Sequence, residues 1–246
     1  MNTILTSRRL AFFLLIVSLA LYGIDYFFFG GGEVIAAGFL GNLAFLPVYV
    51  LFVTLIIEKV LKERERHAIK QKLNMVIGVF FSEVGTAMLR DCLGFVRNAD
   101  ELAKSLGISL LWTPDDFKKA TGHLARHRIE VDSRKGDIVC LKRFLVERRG
   151  FMLGLLENPN LLEHDEFTDL LWAVFHLTEE LEARHSFAGL SAADLDHLSG
   201  DIKRAYSCLL REWLAYIQHL KEDYPYLFSL AVRTNPLNPE ARAEIS

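Results

Sequence analysis

Cysteine is scarce, strand signals are missing, and no stretch of the chain carries the sequence signature of a reaction. Only three cysteines occur in 246 residues, Cys92, Cys140 and Cys208, far apart and without a CxxC. Their odd number and wide spacing exclude a disulfide framework and a thiolate zinc ribbon, and they read as free, reduced thiols. The glycine clusters, Gly30-Gly31-Gly32 and Gly154, have no GxxxxGK[ST] pattern and no preceding strand, which excludes a phosphate loop. Ser82 and Ser207 have no base whose position the sequence fixes, so no nucleophile is assigned. A formal net charge of −3 argues against nucleic acid as a partner, because the basic clusters 126–135 and 142–149 are short and interrupted. There is no internal repeat, no low-complexity tract and no strand pair.

Charge is also absent where its absence is most informative. Between Glu33 and Glu58 there is no charged residue, and Leu10–Phe29 contains only Asp25. A helix rises about 1.5 Å per residue, so about twenty residues cross a hydrocarbon core of roughly 30 Å. The spacing predicts two membrane spans, 10–29 and 34–57, with the second tilted or kinked at Pro47. The glycine turn between them is too short for anything but an antiparallel hairpin. Arg8 and Arg9 precede the first span and Lys59, Lys62, Arg64, Arg66, Lys70 and Lys72 follow the second, while the turn has no Lys or Arg. The positive-inside rule places both termini in the cytoplasm. Tyr22, Tyr26 and Phe27–Phe29 fall where an outer aromatic belt would lie. The first run is too long for a secretory leader and lacks an Ala-x-Ala site, so a retained span is expected.

The rest of the chain has helical periodicity. Residues 58–97 are expected to continue the second span into the core, since Ile69, Leu73, Val76, Phe80, Val84 and Ala87 share one face. Gly78 weakens this helix or lets another helix come close, and Glu83 sits at the edge of the apolar stripe. A cytoplasmic helical domain is expected over 98–233. Its signals are a helix start at Thr113-Pro114-Asp115-Asp116, a helix over 137–156, and a capping box of Asn160 and Glu163 opening a helix to about Arg184. A further start at Ser191 opens a long helix to Asp223, broken by Pro225. Residues 129–135 suggest a short extended stretch, and 234–246 a loose tail. The fold class is therefore all-α: an N-terminal transmembrane helical hairpin (1–57) followed by a cytoplasmic helical bundle. Trp172, Phe175, Trp213, Tyr216, Tyr224, Tyr226 and Phe228 are expected in core and interface.

Histidine and acid pairs form the one constellation with ligand chemistry. His123 and His127 are four apart; His176 precedes Glu180, and His219 precedes Asp223, by the same interval. Such pairs project from one side of a helix, and bundles build metal sites from them. The candidate metal ligands are thus His176, Glu180, His219 and Asp223. On a helical wheel, however, His176 lies opposite the stripe of Phe167, Leu170, Leu171, Val174 and Leu177, and His219 lies away from the stripe around Trp213. These residues are expected to face solvent. No catalytic residue and no cofactor is assigned.

Two segments carry a resemblance. Leu73-Asn74-Met75-Val76-Ile77-Gly78-Val79-Phe80-Phe81-Ser82-Glu83-Val84-Gly85-Thr86 and Asp223-Tyr224-Pro225-Tyr226-Leu227-Phe228 resemble an uncharacterised prokaryotic family of two-span membrane proteins. The resemblance implies the layout, in a prokaryotic inner or plasma membrane with both termini cytoplasmic, and assigns no activity. The leading reading is a membrane-anchored helical protein that assembles with itself or with a membrane protein partner and is not an enzyme. The alternatives are an oligomeric channel or transport component and a metal-dependent helical-bundle enzyme.

Overall fold

A single helix, α1 (Gly32–Phe80), is the longest element of the chain. The computed structural model describes residues 16–21, 23–24, 26–27, 32–158, 161 and 164–244, with the backbone alone at 44, 67, 68 and 70. The chain divides into two units, Met1–Arg66 and His67–Ser246, and the division falls within α1.

In the first unit the described residues are helical on both sides of 28–31. The expected first span is only partly within them; Arg8, Arg9, Tyr22, Asp25, Phe28, Phe29 and the glycines at 30 and 31 lie outside the described residues. From Gly32 the helix runs through Pro47 without interruption. Its apolar window has a mean hydropathy of 2.2 and none of it is buried. Leu43, Phe45, Leu51, Phe52 and Ile56 are each about half exposed or more.

In the second unit α1 ends in a π turn, Phe81–Gly85, which leads into α2 (Thr86–Leu93). A π turn widens the helix by one residue and rotates the face that follows. The expected buried positions Leu73, Phe80 and Val84 are buried, but beyond the turn Met88, Leu89 and Cys92 are buried and Ala87 is not. Gly85 makes the turn possible: a Cβ there would lie 2.5 Å from the Phe81 ring. Gly78 does admit a neighbour, because the Tyr216 ring lies 3.5 Å from where its Cβ would be. Glu83 is exposed and 3.7 Å from Arg148.

Five further helices complete the bundle up to the last long one. They are α3 (Ala99–Ser105), α4 (Pro114–Arg126), α5 (Ile138–Leu156), α6 (Asp165–Glu182) and α7 (Ala192–Asp223). A short α8 (Pro225–Arg233) follows the break at Tyr224. Thr113 caps α4 in a reciprocal capping box with Asp116, with Pro114 in the first turn. Asp137 caps α5 and Ser191 caps α7. Helix α6 begins later than expected, because His164 caps it by accepting from Phe167 N at 3.1 Å. Asn160 and Glu163 lie outside the described residues.

At 32 residues α7 is the central element, and α2, α4, α6, α8 and the π turn all pack on it. Tyr206, Phe80, Phe81, Phe95, Phe117 and Phe167 are buried almost completely. Phe80 meets Phe167 edge to face at 5.2 Å and Phe81 stacks on Tyr216 at 5.0 Å, arrangements that add to simple area burial. Phe175, Trp213 and Phe228 are buried as expected, whereas Trp172, at 60% exposure, and Tyr226, at 70%, are on the surface. Among the described residues there is no strand. The extended stretch at 129–135 contributes one antiparallel bridge, Val96 with Val131, flanked by Arg97 N donating to Glu130 O and Asp132 N donating to Phe95 O. The tail is docked at its start: Leu237 is buried and Asn235 Nδ2 donates to Leu106 O at 3.2 Å. All three cysteines are free, and burial pushes the Cys92 thiol up, which keeps it protonated and unreactive.

Candidate metal centre

Helices α6 and α7 form an antiparallel hairpin joined by residues 183–191. The C-terminal part of α6 therefore lies beside the N-terminal part of α7. His176 and Glu180 project together from α6 because four residues is about one helical turn. On α7, His197 and Asp201 have the same interval and project toward them. One ligand atom from each of these four residues lies within 4.8 Å of every other.

The antiparallel register alternates the chemistry. His176 Nε2 is 3.5 Å from Asp201 Oδ1, and His197 Nε2 is 3.6 Å from Glu180 Oε2. Along α7, His197 Nε2 is 3.2 Å from Asp201 Oδ2. Each imidazole thus faces a carboxylate on the other helix. The four side chains differ in depth: Asp201 is 3% exposed, Glu180 27%, His176 43% and His197 53%. The site has a buried floor and a rim open to solvent.

Two arginines flank it. Arg184 Nη1 donates to Glu180 Oε2 at 2.6 Å, and its Nη2 is 3.7 Å from Asp194. This bond, with smaller contributions from nearby charges, holds the Glu180 carboxyl below the usual range despite partial burial. Arg204 Nη1 is 3.7 Å from Asp201 Oδ1. Asp201 Oδ2, in contrast, accepts no hydrogen bond although it is fully shielded from solvent.

The sequence-predicted ligands divide between two places. His176 and Glu180 are in the cluster. His219 and Asp223 are not: they pair with each other at 2.8 Å, and His219 Nδ1 is 3.1 Å from Asn74 Nδ2. His219 follows His197 by 22 positions, which is about 33 Å along the helix. Of the residues expected to face solvent, His176 and Asp223 are about half exposed, whereas Glu180 and His219 are more covered. His219 is only 16% exposed, and His176 points into the groove beside α7 rather than away from the bundle. His123 and His127 stack on each other at 5.0 Å, and His127 is fixed by Asn98 Nδ2 at 2.8 Å. The two members of the cluster that the sequence reading did not name, His197 and Asp201, repeat the His-x-x-x-acid spacing of His176 and Glu180. That repetition, on two helices joined by a short link, was the available signal.

The fold defines an all-helical protein with a long apolar N-terminal helix and a helical C-terminal unit. The chain belongs to the MJ1433 family: residues 69–233 match its C-terminal helical domain and residues 2–61 its N-terminal helical domain. It is 44% identical over 230 residues to "Uncharacterized protein MJ1433" of Methanocaldococcus jannaschii, covering 93% of this chain and 92% of that relative. No solved structure matches the chain.

Proposed function

We propose that the chain is a membrane-anchored assembly protein. An N-terminal hairpin, spans 10–29 and 34–57, is held in the bilayer of a prokaryotic inner membrane. Both termini and the helical domain lie on the cytoplasmic side, and the protein works by association with itself rather than by catalysis.

The observation that supports this most is the unburied apolar length of α1. From Val34 to Ile57 there are 24 residues without a charge, about 36 Å of helix against a hydrocarbon core of roughly 30 Å. Among the described residues none of the apolar window of this helix is buried. An apolar surface of that extent is unfavourable in water and favourable in lipid. The charges resume at Glu58 and Lys59, where a membrane–water boundary would lie, and the basic residues that follow favour the cytoplasmic leaflet. Self-association is motivated by the same helix: two spans leave most of their surface uncovered, and small residues such as Gly38 and Gly41, with open space where a Cβ would stand, permit close helix packing.

The test is the mass of the full chain in detergent by light scattering with detergent correction, together with cross-linking in native membranes. A defined oligomer recovered by both methods is expected. A strict monomer in detergent that also gives no cross-linked product in membranes would refute assembly.

A further inference from the structure

We propose that His176, Glu180, His197 and Asp201 bind one divalent first-row transition ion, with zinc as the best-matched probe, and that the ion staples α6 to α7. The proposal is independent of where the first 57 residues reside.

Geometry is the first support. Zinc bonds to imidazole nitrogen and carboxylate oxygen at about 2.0–2.1 Å, so neighbouring ligands around a tetrahedral ion are about 3.3 Å apart. Three of the four nitrogen–oxygen separations are 3.2 Å (His197 to Asp201 Oδ2), 3.5 Å (His176 to Asp201 Oδ1) and 3.6 Å (His197 to Glu180 Oε2). The remaining pairs are all within 4.8 Å. Two nitrogens and two carboxylate oxygens favour a borderline ion over calcium or magnesium, which take oxygen alone.

The second support is Asp201. Its side chain is 3% exposed, and its buried Oδ2 accepts no hydrogen bond, facing His197 Nε2 at 3.2 Å. A shielded carboxylate oxygen without a hydrogen bond is costly, and a cation among these four groups would satisfy it. Arg184 holds Glu180 Oε2, the oxygen 3.6 Å from His197, from the outside at 2.6 Å and fixes the orientation of the group. The half-exposed histidines provide a path from solvent to the buried acid.

The site closes the hairpin near its turn, so an ion would resist separation of α6 from α7. It is therefore assigned a structural role.

The experiment uses the full chain in detergent, stripped with a chelator and dialysed, then titrated with Zn2+ by calorimetry and with Co2+ by visible absorption. One ion per chain is expected, with the intense d–d bands of four-coordinate Co2+ and a higher Tm when loaded. H176A and H197A should each weaken binding by about tenfold or more, and the double variant should abolish it. H219A, about 33 Å away along α7, should bind as the wild type does. Absence of saturable binding by the wild-type chain, a weak six-coordinate Co2+ spectrum, or undiminished binding by a helical H176A/H197A chain would overturn the assignment. Wild-type stoichiometry and spectrum decide the matter even where a variant misfolds, and far-UV circular dichroism identifies that case.

Discussion

Glu212 makes the stability of the helical unit fall as pH rises, and the fall can be removed by one substitution. The residue lies on α7 with 2% exposure, and its Oε1 is buried without a hydrogen-bond partner. Burial first, and the nearby Glu166 second, push its pKa from about 4.5 up to about 7, with Arg211 opposing. Below pH 4.5 the carboxyl is neutral in both the folded and the unfolded chain, and stability is complete. Between about 4.5 and 7 the unfolded chain ionises while the folded one keeps its proton. Above 7 the folded chain must carry a buried charge. At ~1.36 kcal/mol per pH unit, the loss on going from pH 4.5 to pH 8 is about 3 kcal/mol. For a domain of this size that is ~6–12 °C in Tm. E212Q keeps the shape and cannot ionise. Its stability relative to the wild type should therefore improve by about 3 kcal/mol between pH 4.5 and pH 8, whatever constant cost the buried amide adds. Urea unfolding in detergent, followed by the fluorescence of Trp112, Trp172 and Trp213, reads the difference at each pH. A stability difference between the two proteins that stays constant across the range would refute the reasoning.

Three other perturbations have defined outcomes. T113A removes half of the capping box of α4 and should cost about 1 kcal/mol, read by thermal unfolding. G136A should destabilise by about 1–3 kcal/mol, because its Cβ would stand 2.6 Å from the buried Phe95 ring, whereas G150A, inside α5 with open space around it, should stabilise by up to about 1 kcal/mol. D132N should cost about 1–2 kcal/mol at neutral pH by weakening the acceptor for Arg97 at 2.8 Å. Asp132 is held below the usual carboxylate range by Arg97 and then by Arg134 N, so its contribution is present at neutral pH and lost as pH falls through the carboxylate range. The D132N difference should shrink accordingly in acid.

What could be read from the residues was local. The capping box at Thr113, the caps at Asp137 and Ser191, and the break at Pro225 are determined by side chains within four positions of the backbone they satisfy. The π turn at Phe81–Gly85 was not legible, because only the packing of Phe80 on Phe167 and of Phe81 on Tyr216 decides which face the helix presents. The contact of His176 with Asp201 was not legible for the same reason. A wheel drawn for α6 alone measures distance from that helix's own apolar stripe, and it does not contain the groove that α7 creates at the stripe's edge. His197 and Asp201 gain their meaning only from antiparallel register, which sets them across from Glu180 and His176. The late start of α6 turns on a histidine cap, a weaker signal than the Asn and Glu four and one positions earlier. The exposed Trp172 shows that an aromatic residue in a helical sequence need not belong to the core.

The central claim, a chain retained in lipid with its helical unit on the inner side, is tested most directly by protease treatment of sealed vesicles of both orientations. Inside-out vesicles should lose the C-terminal unit to added protease and retain a protected fragment containing the apolar helix, while right-side-out vesicles should protect the C-terminal unit until detergent is added. Digestion of the C-terminal unit from the outside, or recovery of the intact chain in the alkaline-carbonate supernatant, would contradict it.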